Sequence, residues 1–155
     1  MIIQGKYLIA APTGEVWNLL MDAKVLERIT PGISELQPIE DDIYRAISNV
    51  KIGPVKARFE GQLEIKDKIE NSMATLVMDQ KSKIGNVSAE IKLQLNDLDG
   101  STEIDYKGEA KLSGKLAMMG QRILGGVINS LSKQFFESLN SEIKDAITKP
   151  NSYAN

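Results

Sequence analysis

The chain contains neither cysteine nor histidine. Without cysteine there are no disulfides, thiolate nucleophiles or thiolate metal sites. Without histidine the commonest general base, the commonest metal ligand and every imidazole-based triad or dyad are gone. Any chemistry would fall to carboxylates, lysines, tyrosines or bound water. Long apolar runs are missing too, since no stretch approaches the roughly 20 residues needed to span a bilayer. The opening segment, Met1 to Trp17, lacks a basic region followed by an uninterrupted apolar stretch, so no secretory signal is expected. Nor does one sign of charge dominate: 19 basic and 21 acidic residues leave a formal charge of −2 and are mixed along the chain. The basic patch of a nucleic-acid-binding protein is therefore not expected. These absences point to a cytoplasmic protein with no cofactor or metal and no nucleic-acid partner.

What is present suits one compact domain. The 155 residues, 42% hydrophobic and 26% charged, suffice to bury a core unaided. No repeat, linker or low-complexity segment interrupts them, and the expected domain is 1–149 with a short tail at 150–155.

The hydrophobic period then divides the chain into elements. Ile2 to Ile9 carries β-formers and stops at Ala10-Ala11-Pro12, which predicts a first strand. Thr13 is placed to cap a helix whose apolar face is Val16, Trp17, Leu19 and Leu20. A second short helix over Ala23 to Ile29 ends at Pro31-Gly32. From Ile33 to Leu112 the period is two. Val55, Ala57, Phe59, Gly61, Leu63 and Ile65 alternate with charged or polar neighbours, and the runs around Ile91 and Tyr106 repeat the pattern. Turn signals at Glu40-Asp41-Asp42, Gly53-Pro54, Glu70-Asn71-Ser72, Gly85-Asn86 and Asp99-Gly100-Ser101 divide this region into an antiparallel meander of about six strands. After Gly114 the period is helical to about Lys149, with a stripe of Leu116, Met119, Ile123, Leu124, Val127, Leu131 and Phe135. A sheet with one apolar face needs a cover, and only this last helix is long enough to cross it.

Several segments carry a family resemblance over nearly the whole chain, Gly5 to Leu139. They are Ala11-Pro12 with Val16-Trp17, the Pro31-Gly32 break, VKIGPVKARFEG from Val50 to Gly61, GKLAMMGQRIL from Gly114 to Leu124, and Phe135 to Leu139. The sequence resembles the carbon monoxide dehydrogenase G-subunit family of the START-like (SRPBCC, Bet v 1-like) superfamily. The resemblance implies an α+β helix-grip fold, a curved antiparallel sheet of about seven strands wrapped around a long C-terminal helix, with two short helices after the first strand. It also implies an apolar cavity between sheet and helix, and an accessory role beside a carbon monoxide dehydrogenase-type molybdenum hydroxylase, either binding a hydrophobic ligand or helping to dock the enzyme at a membrane. Some family members carry a C-terminal extension ending in a hydrophobic segment; this sequence stops soon after the helix, so direct membrane anchoring is not expected, while peripheral membrane contact remains open.

Within such a cavity, Phe59, Leu63, Ile91 and Leu93 are the expected walls, and Met119, Gly120, Ile123 and Val127 the helix side. Gly61 and Gly108 fall on the apolar side of their strands, where the glycines either bend the sheet or leave room for a ligand. Tyr7, Tyr44 and Tyr106 can present hydroxyls to a polar head group, Tyr106 being preferred. The run of Met118, Met119, Gly120, Gly125 and Gly126 weakens the helix and reads either as close packing on the sheet or as a mobile gate. Met118, Phe136, Ile143 and Ile147 project away from the stripe, either against Trp17 and the short helices or as a patch facing a partner or a membrane.

Three functions follow. The first is non-enzymatic binding of a hydrophobic small molecule, a lipid or quinone, by an accessory of a carbon monoxide dehydrogenase-type enzyme. The second is a small cyclase or hydrolase on the same fold. The third is an interaction module whose off-stripe helix face docks an oxidoreductase or an identical chain in a homodimer.

Overall fold

The structure, a computed structural model, describes residues 1–148, with side chains to Asp145. The expected tail at 150–155, the domain bound at 149 and the side chain of Ile147 lie outside the described residues. The element order is β1 (Ile2–Ile9), α1 (Thr13–Leu20), α2 (Ala23–Ile29), β2 (Ile33–Glu40), β3 (Ile43–Ile52), β4 (Val55–Ile69), β5 (Met73–Ser82), β6 (Gly85–Asp97), β7 (Thr102–Leu112) and α3 (Gly114–Thr148). The strands form one antiparallel seven-stranded sheet in the order β1-β7-β6-β5-β4-β3-β2. Six meander strands with β1 paired onto β7, two short helices and a C-terminal helix match the helix-grip expectation.

Apolar side chains at alternate positions turn one face of the sheet inward, and two clusters fill its ends. At one end α1 and α2 bring Val16, Trp17, Leu20, Val25 and Ile29 against Ile9, Leu95 and Ile104, with Phe136, Leu139 and Ile143 of α3 above them. At the other end Leu116 and Leu124 of α3 cover Ile52, Ala57 and Phe59. The sheet edges are tied down, as exposed edge strands must be. The amide of Leu36 in β2 donates to the Glu27 carboxylate of α2 at 3.1 Å, and Pro38 sits in this edge strand, where a missing N–H does little harm. On β1, Asn140 of α3 accepts from the Ala10 amide at 3.3 Å and donates to the Leu8 carbonyl at 3.4 Å.

The helices depart from the sequence reading in three respects. Thr13 does not cap α1; the Pro12 carbonyl does, accepting the amides of Glu15 and Val16 at 3.1 Å. The side-chain cap belongs to α2, where Asp22 accepts from the Lys24 amide at 3.0 Å. The long helix is interrupted at Gly120, whose φ of 78° and ψ of 162° break the helical course after its first turns. That left-handed backbone is open to glycine and strained for other residues.

The break resets the phase of the stripe. Beyond it Leu124, Phe136, Leu139 and Ile143 are buried, whereas Ile123, expected on the cavity side, is 50% exposed. Phe136 and Ile143 are core residues, so these two positions of the face assigned to a docking partner are closed by the main cluster, whereas Met118 is 85% exposed. Phe136 lies at the centre of an aromatic group, stacked on Tyr7 at 4.4 Å and on Tyr106 at 5.5 Å, with Phe135 edge-on at 5.1 Å.

Candidate functional site

Between the two filled ends, the middle of the concave face is the least covered part of the interior. Leu63, Leu76, Ile91 and Leu93 point inward from β4, β5 and β6, yet each is only half-buried. The register makes them neighbours: Leu76 pairs with Ile91, Ile91 with Gly108, and Leu93 with Tyr106. Above them runs the glycine-rich part of α3. A methyl group added at Gly120, Gly125 or Gly126 would meet nothing within 4 Å. The glycines themselves are therefore not points of close packing, although Leu124 and Val127 beside them do pack on the second cluster.

Gly61 and Gly108 lie under no such space. A Cβ at Gly61 would fall 1.8 Å from the Asp79 carbonyl oxygen, and one at Gly108 would fall 2.3 Å from that of Glu90. In each case the neighbouring strand's backbone takes the room, so these glycines bend the sheet around the helix and do not themselves line an opening. Gly5 has a related role that period and composition did not single out. The Tyr106 ring crosses β1 there, with its Oη 2.4 Å from where a Cβ would be. The sequence signal was available, since alternation along Ile3, Gly5, Tyr7 and Ile9 puts a glycine inward.

Tyr106 thus reaches a recess of about 160 Å³ between the start of β1 and α3, lined also by Met1 to Gln4, Gln121, Gly125, Ile128 and Asn129. Its polar side chains are amides and a phenol, and none carries a charge. The Met1 ammonium donates to the Ala110 carbonyl at 2.9 Å. Gln121, Ile128 and Asn129 were not expected at the site, because the break at Gly120 turns a different helix face inward.

The other expected site residues are distributed as follows. Leu63, Ile91, Leu93 and Tyr106 gather in the middle of the concave face. Phe59 is buried in the second cluster, and Met119 and Val127 pack on that cluster's border. Gly120 is the joint, and Ile123 faces outward. Gln80 is the amide side chain on the sheet's inner face. Its Nε2 donates to the Gln62 carbonyl at 3.2 Å, while its Oε1 is buried without a partner.

Charge lies outside this interior. Arg45 and Glu60 pair on the outer face of β3 and β4. The hydrogen bond from Arg45, reinforced by its charge, holds the Glu60 carboxyl below the usual range. Arg28 of α2 binds Glu142 of α3 through Nε at 2.9 Å, and that hydrogen bond raises the Arg28 pKa. Asp79, on the outer side of β5, is exposed and accepts from the Ser88 hydroxyl. Among the described residues no group of His, Cys, Asp or Glu side chains is arranged to hold a metal ion, and no helix is long and apolar enough to cross a membrane.

Comparison with known proteins extends the picture. A conserved protein of Geobacillus kaustophilus superposes with a TM-score of 0.90 at 30% identity, covering 94% of this chain and 97% of that one. The Zhui aromatase/cyclase of Streptomyces sp. R1128 superposes at 0.70 with 12% identity over 95% of both chains. A START superfamily protein of Mycobacterium smegmatis gives 0.73 at 10% identity, covering 93% of this chain and 97% of that one. These last two likenesses show the fold alone. No curated protein sequence matches. The family of the carbon monoxide dehydrogenase G subunit (CoxG) matches residues 5–144. With nine-tenths of its length matched and a START-like fold around its concave face, the chain belongs to the CoxG family.

Proposed function

We propose that this protein binds a hydrophobic small molecule, a lipid or quinone, between the sheet and α3 without chemically changing it. In this reading it serves in the cytoplasm as an accessory of a carbon monoxide dehydrogenase-type molybdenum hydroxylase. The observation that carries the proposal is the half-buried row Leu63, Leu76, Ile91 and Leu93 on the concave face, with the recess between β1 and α3 at the neighbouring Tyr106. Apolar surface left in that state gains about 25 cal/mol per Å² when a ligand removes it from water. The recess of about 160 Å³ is smaller than the roughly 300 Å³ or more of a typical ligand site. Binding therefore requires α3 to lift, and Gly120 is the joint about which it does so.

The chemistry of the lining limits the ligand. The inward positions along the middle of β3 to β7, away from the Asp97 end of β6, hold no Asp, Glu, Lys or Arg, so a buried ionic head would have no counter-charge and a large desolvation cost. An uncharged head that hydrogen-bonds to Tyr106 fits. Nile red, a neutral apolar fluorophore, is expected to bind, and dodecanol to displace it at least about tenfold more effectively than dodecanoate at neutral pH. Tyr106→Phe removes one hydrogen bond, on the order of 1 kcal/mol, and is expected to weaken dodecanol roughly fivefold while leaving Nile red unchanged. Native mass spectrometry of the purified protein would identify a retained lipid or quinone. Absence of binding by Nile red, dodecanol and every lipid or quinone tried would overturn the proposal.

A further inference from the structure

Two edges bound the sheet, and the chain treats them differently. On β2, Pro38 has no N–H to offer, the register shifts between Ile33 and Glu35 and between Pro38 and Glu40, and the Glu27 carboxylate takes the Leu36 amide. Proline, bulges and a covering side chain are the usual means of keeping an edge from pairing. Along Ile2 to Lys6, β1 has none of them, and it pairs with β7 without a register shift. Asn140 closes only its far end, at Leu8 and Ala10.

The ladder fixes which groups are left over. In an antiparallel pair, alternate residues turn both N–H and C=O to the same neighbour. Met1 and Ala110 exchange bonds at 2.9 and 2.8 Å, so Met1, Ile3, Gly5, Tyr7 and Ile9 face β7. Ile2, Gln4 and Lys6 turn theirs to the open side, where no hydrogen bond with a described residue uses them. We propose that β1 pairs antiparallel with β1 of a second copy, across a two-fold axis at Gln4, joining two seven-stranded sheets into one. Gln4 then opposes Gln4 of the second copy and Ile2 opposes its Lys6, so every free N–H and C=O of Ile2, Gln4 and Lys6 finds a partner.

A second copy suits this edge better than a strand of another protein, because the side chains are self-complementary. On the outer face Lys6 has Asp105 beside it on β7, at 4.0 Å. Pairing sets that lysine against Ile2 of the second copy, with Glu109 of that copy next beyond. Carboxylates thus lie on both sides of each lysine, and no like charges meet across the seam. Ile2, 52% exposed on its own, is covered by the Lys6 stem. On the inner face Ile3 opposes Gly5 of the second copy, which has no side chain and is crossed by the Tyr106 ring. The recess lined by Ile3 and Tyr106 would therefore meet its counterpart across the seam.

The test is independent of ligand binding. Sedimentation equilibrium of the full chain at about 100 μM is expected to give twice the 17.1 kDa of one copy. Gln4→Pro removes the N–H at the centre of the seam, spares the ladder to β7, and should weaken dimerisation roughly thirtyfold. Because the chain contains no cysteine, an introduced thiol reports the register. Residues opposed in a hydrogen-bonded pair have Cα atoms about 5.5 Å apart, within disulfide reach, so Gln4→Cys should cross-link under mild oxidation. Lys6→Cys should not, its counterpart lying about 13 Å along the seam, whereas a mixture of Lys6→Cys and Ile2→Cys chains should. A monomer at that concentration overturns the proposal and leaves the edge to a strand of another protein. A dimer that Gln4→Pro leaves intact, or one in which Lys6→Cys cross-links as readily as Gln4→Cys, overturns it too. If Gln4→Pro does not fold, the cysteine variants decide by the same criterion.

Discussion

Adding one methyl group at Gly61 or Gly108 is expected to lower stability by about 3 kcal/mol, the upper end of overpacking costs. The Cβ would stand 1.8 Å from the Asp79 carbonyl oxygen in the first case and 2.3 Å from that of Glu90 in the second. Both obstacles are backbone in hydrogen-bonded strands, so neither can swing aside as a side-chain end would. Relief requires β4 to part from β5, or β7 from β6, just where the sheet curves. For a chain of this size the melting temperature should fall by about 6–12 °C, measured by thermal denaturation of Gly61→Ala and Gly108→Ala. The same change at Gly125 or Gly126 has the opposite sign. Nothing lies within 4 Å of either added Cβ, and alanine improves helix propensity by about 1 kcal/mol per site. A Gly61→Ala protein that melts with the wild type would refute the bend. A Gly125→Ala/Gly126→Ala protein that folds but exchanges Nile red as fast as the wild type would refute a flexible helix half as the gate.

Phe136→Ala is the second large effect, with an expected loss of about 3–5 kcal/mol. Phe136 is 5% exposed and joins α3 to the sheet through its stacking on Tyr7 and Tyr106. Its loss empties a ring-sized volume bounded by strand side chains that cannot follow α3 inward, so little of the cavity can collapse. Native stabilities are themselves only about 5–15 kcal/mol, so the variant should sit near the edge of folding. Urea denaturation would measure the loss, and Phe136→Leu, which keeps much of the volume, should recover about half of it. A loss below about 1 kcal/mol would mean that α3 is held mainly at its other contacts.

Most of the fold was legible because the signals that specify it are local. Alternation at Val55 to Ile65 needs only neighbours to say strand, and Pro12, Gly53-Pro54 and Asp99-Gly100 say turn wherever they stand. The family resemblance reached the same architecture independently. The half-buried walls Leu63, Ile91 and Leu93 were readable for the same reason, since inward positions follow from period two. Ile123 was misread because periodicity assumes an unbroken helix, and Gly120 sits in a run whose apolar spacing continues across it.

The amino-acid sequence by itself determined the element types, their order and the uncharged middle of the inner face, each carried by residues a few positions apart. Tertiary structure decided what depends on residues far apart in the chain. Whether Gly61 opens a space or admits a backbone depends on the β4–β5 register that sets it against Gln80. Gly108 depends likewise on Ile91 of β6. The free groups of β1 appeared only when β7, far away in the chain, paired with its other side, because a ladder takes the N–H and C=O of alternate residues and leaves the rest.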